Sequence, residues 1–82
     1  MNVFVYLAPG FEEIEAITVI DYLRRAKVNV TTVSVPEKDS DEISSIVTGS
    51  HGIPVITDMV LHDCKNLGNL PDAVYFPGGM PG

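Results

Sequence analysis

The chain has 82 residues, 45% hydrophobic and 20% charged, which bounds it to one ordinary globular unit and excludes a disordered chain. Eleven acidic against five basic residues give a net charge of -6, and the few cations are scattered, so nucleic acid and anionic membrane surfaces are excluded as partners. The single cysteine, Cys64, forms no internal disulfide, and no apolar run approaches the length of a membrane span; both fit a cytoplasmic protein.

Residues 2–8 (NVFVYLA) form a nearly continuous apolar run, the pattern of a strand buried on both faces of a parallel sheet. No basic segment or small-residue cleavage site marks this start as a secretory leader. Pro9-Gly10 stops the strand. Residues 12–26 (EEIEAITVIDYLRRA) read as a helix, opened by acidic residues and closed by Arg24 and Arg25, which complement the helix dipole. Residues 29–35 (NVTTVSV) are a second strand, ended by Pro36 and a charged loop over 37–42. Residues 43–48 and 53–57 are short β-type segments around Gly49-Ser50-His51-Gly52, spaced to pair as a hairpin. Asp58 is placed to cap a short helix over 60–66. Residues 73–76 (AVYF) read as a further buried strand, running into Pro77-Gly78-Gly79-Met80-Pro81-Gly82. Strand–helix–strand alternation specifies an α/β sheet with right-handed crossovers. A buried strand needs helices on both faces, so the sequence predicts that truncation, cleavage or a second chain accounts for the missing cover, a flexible tail being the alternative.

On the helix, with Glu15 set at zero and about 100° per residue, Val19, Leu23, Ala16, Ile20 and Ala26 fall between about 20° and 140°, with Tyr22 near 340°. Glu15 then lies inside the apolar stripe. Burial there predicts a raised pKa and a retained proton, suited to donating a hydrogen bond to a neighbouring thiolate. A carboxylate this near the helix start also serves simply to satisfy backbone N–H groups, and Glu12, at the fraying end, does so more readily. Ile14 and Ile17 sit on the opposite, polar side among Asp21, Arg24 and Thr18, as a second contact surface or as scattered exposed residues.

Pro77-Gly78-Gly79 follows a strand, where ligands of open α/β sheets bind; paired glycines bring backbone N–H groups close enough to form an oxyanion hole, or simply make a tight turn. No Gly-Lys-Ser/Thr and no G-x-G-x-x-G is present, which excludes a P-loop and a dinucleotide fingerprint. Cys64 has no strand-to-helix elbow around it and reads as structural rather than nucleophilic. Neither His51 nor His62 joins it at metal-ligand spacing.

The run Leu7-Ala8-Pro9-Gly10-Phe11-Glu12-Glu13-Ile14-Glu15 with Asp21-Tyr22-Leu23-Arg24-Arg25-Ala26 resembles the ThiJ/PfpI superfamily, in the branch of the parkinsonism-associated deglycase. Gly49-Ser50-His51-Gly52-Ile53 and Ala73 to Gly82 fit the same branch in order and spacing, so the resemblance covers essentially the whole chain. It implies a flavodoxin-like α/β sandwich with a mostly parallel sheet, of which this chain is the N-terminal half, and a homodimer without metal or organic cofactor. It implies that Glu15 hydrogen-bonds a reactive cysteine on a nucleophile elbow and that Gly78 and Gly79 supply backbone donors beside it. It implies that Arg25 borders an anion site, that His51 stands where similar proteins carry a second arginine, and that Ile14 and Ile17 pack between subunits. The nucleophile and its histidine partner lie beyond the matching region, and Cys64 does not align with them.

The expected activity of the whole protein is cysteine-dependent hydrolysis of reactive carbonyls or their adducts, as in deglycases and glyoxalases, with a small carbonyl substrate and the C-terminal half of the domain as partners. The alternatives are a redox-sensing or chaperone-like dimer without turnover, synthesis of the thiazole monophosphate of thiamine, and a small fragment with only a binding or dimerisation role.

Overall fold

The computed structural model describes residues 1–36, 44–66 and 70–78. The expected loop over 37–42, the start of the first hairpin segment at Ile43, and Gly79 to Gly82 lie outside the described residues. The elements in chain order are β1 (Asn2–Leu7), α1 (Glu13–Arg25), β2 (Asn29–Ser34), β3 (Ile46–Thr48), β4 (Pro54–Ile56), β5 (Met59–Val60), α2 (Leu61–Asn66) and β6 (Ala73–Tyr75).

β1 is the centre of a parallel sheet with strand order β5-β2-β1-β6. Its register runs from Asn2 against Asn29 to Leu7 against Ser34 on one side, and pairs Val3, Phe4 and Val5 with Ala73, Val74 and Tyr75 on the other. Period-2 alternation divides its apolar run between two cores. Val3, Val5 and Leu7 pack with Phe11, Ala16, Ile20 and Val47 on the α1 face. Phe4 packs with Val33 and Cys64 on the α2 face, with Tyr6, Met59 and Leu61 around them. The continuous hydrophobicity of residues 2–8 thus reflects burial on both faces. β3 and β4 form the expected antiparallel hairpin, with Val47 against Val55.

Three features depart from the sequence reading. Asp58 does not cap α2, which begins only after the two residues of β5. Its carboxylate instead accepts hydrogen bonds from the Thr32 backbone N–H (2.9 Å), the Thr32 hydroxyl (3.1 Å) and Arg24 (3.0 Å), fastening β5 to β2 and to α1. Burial pushes this carboxyl up, but those donors outweigh it and hold it below its ordinary value. β6 is not a buried strand: Val74 is 51% and Phe76 66% exposed, because β6 is an edge that pairs only with β1 among the described residues. Tyr22, expected at the margin of the buried stripe of α1, is 77% exposed.

α1 ends in a Schellman motif, with Val28 N–H donating to Leu23 O (3.0 Å) and Lys27 N–H to Arg24 O (3.1 Å). The motif requires a left-handed residue, and Lys27 occupies it at φ 66°. Glycine adopts that conformation without the Cβ clash that lysine bears. Lys27→Gly is expected to stabilise the protein by about 1 kcal/mol, read as a higher urea midpoint with unchanged m-value.

Candidate functional site

Three glutamates in four residues open α1, and the fold gives each a different set of donors. Glu12 is the N-cap, in extended conformation, and its side chain accepts from Ile14 N–H at 3.0 Å. Its own backbone N–H donates to Gly78 O at 2.7 Å, joining the helix start to the segment after β6.

Glu13 is the buried carboxylate, 5% exposed. Its Oε2 accepts from the N–H groups of His51 (2.8 Å) and Ile53 (3.3 Å). Its Oε1 lies 2.9 Å from His51 Nδ1 and accepts from the Ser50 hydroxyl at 3.3 Å. Burial alone pushes this carboxyl up; the bonds from the His51 ring and from backbone N–H groups overcome it and bring it down to about 2. The same contact raises His51, chiefly through the hydrogen bond to Glu13 and the Glu13 charge, with a further contribution from Glu12. Gly49 lies against Glu13, where any Cβ would overlap the carboxyl group.

Glu15 is exposed rather than buried. The buried side of α1 is formed by Glu13, Ala16 and Ile20, with Val19 and Leu23 half-buried. Its centre therefore lies more than 100° from Glu15, which sits outside the stripe. Glu15 Oε1 accepts from Gly78 N–H at 3.1 Å and from the Tyr75 hydroxyl at 2.8 Å. These donors, Gly78 first, hold its pKa below the ordinary carboxylate value, so the expected raised pKa and retained proton are corrected: Glu15 is ionised here. Tyr75 is correspondingly raised by the same bond. A Cβ at Gly78 would stand 2.8 Å from Glu15 Oε2, so any side chain there displaces the Glu15 carboxylate from its present position.

The structure therefore gathers Glu15, Gly78 and, through Glu13, His51 around the first turn of α1. Gly79 lies outside the described residues. Arg25 is elsewhere: ten residues further along α1, roughly 15 Å by helical rise, it pairs with Asp21 at 2.9 Å. Ile14 (78%) and Ile17 (48%) are exposed, so their apolar surface is available for contact. Cys64 is buried against Phe4 and Val33 with Tyr6 packed beside them, a structural placement. His62 lies beside Asp63 at 3.6 Å, away from His51.

Donor atoms of Glu12, Glu13 and His51 fall within 4.8 Å of one another. Both Glu13 oxygens are already turned to hydrogen-bond donors, which makes the group a hydrogen-bonded cluster rather than a set of vacant ligands. Glu13 and Tyr75 were not singled out in the sequence. The signal for Glu13 was available: it falls near 160° from Glu15, next to Ile20. Nothing local marked Tyr75, whose partner is 60 residues away.

A parallel sheet between two helices, with an ionised glutamate of the first helix fixed to the glycine turn of a distant strand, defines a class. The profile of the DJ-1/PfpI family matches residues 1–82, and the chain belongs to that family. It is 35% identical over 81 residues to protein DJ-1 homolog B of Arabidopsis thaliana, covering 99% of this chain and 17% of that protein. It is 32% identical to DJ-1alpha of Drosophila melanogaster, of which it covers 34%. Among solved structures, oxidised DJ-1 of Toxoplasma gondii superposes with a TM-score of 0.82 at 40% identity, over 99% of this chain and 40% of that one. Drosophila DJ-1beta superposes with a TM-score of 0.81 at 32% identity, over 96% and 38%. The fold is the flavodoxin-like one of these neighbours, and the chain spans well under half the length of each of these four relatives.

Glu13 gives an acid-limb prediction. Its folded pKa of about 2 lies below its ordinary 4.5, so its stabilisation is complete above 4.5 and is lost as pH falls through about 2. Urea midpoints measured between those values should fall with acidification, and less steeply in Glu13→Gln than in the parent protein.

Proposed function

We propose that residues 1–82 are the N-terminal part of a single DJ-1/PfpI domain whose whole protein is a cofactor-independent, cysteine-dependent hydrolase of reactive carbonyls or their adducts with amines and thiols. The nucleophile is supplied by residues outside this chain. The observation that carries the reading is the Glu15 carboxylate, held by Gly78 N–H and the Tyr75 hydroxyl at the carboxyl end of β6. That end of a strand is where open α/β sheets bind their ligands.

The chemistry follows from charge. A cysteine thiol placed beside ionised Glu15 can pass its proton to the carboxylate. The thiolate then adds a like charge that favours the protonated acid, so the Glu15 pKa rises only once the sulfur is present. Glu15 so protonated donates a hydrogen bond to the thiolate and keeps it nucleophilic. Sulfur attacks the carbonyl carbon, and the oxyanion is received by the Gly79 N–H. His51, and Arg25 although it lies away from the Glu15–Gly78 contact within this chain, are assigned to substrate or anion binding, and Ile14 and Ile17 to a homodimer contact.

A redox-sensing or chaperone-like dimer is the second reading; its support is that a similar protein, Toxoplasma gondii DJ-1, is described in oxidised form. Intact mass under denaturing conditions, taken on the purified protein, establishes whether a cysteine-containing polypeptide accompanies the 8.9 kDa chain. Steady-state assay of the whole protein with methylglyoxal then tests the role of Glu15. Glu15→Gln, which cannot take up the thiol proton, is expected to lower kcat/KM about tenfold or more. Unchanged turnover would remove Glu15 from the mechanism, and reversible oxidation without turnover would favour the second reading.

A further inference from the structure

The turn between β3 and β4 is fastened to the start of α1 by two kinds of bond. One kind has no titrating donor. Gly10 N–H donates to Thr48 O (2.9 Å), Ser50 N–H donates to Phe11 O (2.8 Å), and the N–H groups of His51 and Ile53 donate to Glu13 Oε2. The other is a single titratable contact, His51 Nδ1 against Glu13 Oε1 at 2.9 Å. One partner of that contact is sequestered and the other is not: the Glu13 side chain is 6% exposed, the His51 side chain 67%. Protons therefore reach the imidazole freely while the carboxylate stays in place.

We propose that His51 is a pH-responsive positioning residue: with its ring charged, it locks the 49–53 turn onto Glu13 and so fixes the first turn of α1, from which Glu15 reaches Gly78. The protonated imidazole has both nitrogens as donors, so Nδ1 always presents a hydrogen to Glu13. The neutral ring divides between two tautomers. One of them turns a lone pair towards the carboxylate, and neither carries the charge that strengthens the bond.

The charged groups facing His51 are Glu13, at 2.9 Å, and Glu12, at 4.0 Å, both on α1; the Ser50 hydroxyl, at 3.2 Å from Nδ1, is the neutral neighbour on its own turn. Glu15, on the same helix, is engaged by Tyr75 and Gly78. Both facing charges are negative, so the proton is held above the ordinary histidine value of 6.5. The lock is thus complete below that value and weakens as pH rises through the raised one. It deepens the reading of Glu15 as a site residue, yet its readout needs no turnover. A failure of the Glu15 assay and a failure of the lock are therefore separate results.

The test is amide hydrogen exchange of the purified protein, corrected for intrinsic rates, from about pH 5.5 to about 8.5. Protection of the His51 and Ile53 amides is expected to fall about fivefold across that range, while amides of central β1 stay level. His51→Asn places a non-titrating amide donor near the Nδ1 position and should give flat, low protection at the same two amides. The His51 ring titrated by NMR in the parent protein is a check that requires no variant to fold. A midpoint at or below 6.5, or an equal pH response in His51→Asn, overturns the proposal.

Discussion

A carboxylate taken out of water has to be surrounded by donors, and at Glu13 these come from Ser50, His51 and Ile53, all of one turn. That requirement organises this end of the molecule. The β3–β4 turn must sit over the helix start, or a buried charge is left unpaired. Gly49 must lack a side chain, or the carboxyl has no room. With the turn in place, Val47 enters the core beside Phe11 and Ala16, so a polar constraint at the rim fixes an apolar contact beneath it.

The same helical turn is tied to the sheet on its other side. Glu12 gives its N–H to Gly78 O, and Glu15 receives the Gly78 N–H, so both polar groups of one glycine residue are used by residues three apart on α1. The hairpin and the β6 terminus are thereby held by Glu13 and Glu15, two side chains on opposite flanks of a single rigid element. This is how loops of modest intrinsic order present a defined geometry: the scaffold fixes them through its end rather than along its length.

The fold was legible where local pattern and tertiary context agree. The two-faced burial of β1 was visible in NVFVYLA, the extent of α1 in its acidic start and basic end, and the hairpin in Gly49 to Gly52 between β-branched segments. The sequence misled at Glu15 because a 100° periodicity locates a stripe only to within a residue or so at its margins. Glu13 and Glu15 lie on opposite flanks of that stripe, and the hairpin chose Glu13. Asp58 misled for a related reason. An aspartate before a helix is a sound cap, but the Thr32 and Arg24 donors are brought to it by strand pairing and by the packing of α1, which no local signal announces. The family resemblance implied only that Glu15 and Gly78 each lie beside a reactive cysteine; their direct contact and the ionised state of the acid come from the fold.

Pairing of β1 with β6 closes a loop of most of the chain, as the bond from Asn2 N–H to the Asp72 carboxylate, 70 residues apart, makes plain. Contacts of such separation form late, because the loop-closure entropy is lost before the strands reward it. The β1-α1-β2 unit is local by comparison and can assemble while the chain is still being synthesised. Glu15 therefore spends the early life of each molecule as an ordinary hydrated surface glutamate. It acquires its two donors only when Tyr75 and Gly78 have left the ribosome and docked, so the contact reports the pairing of β6 with β1.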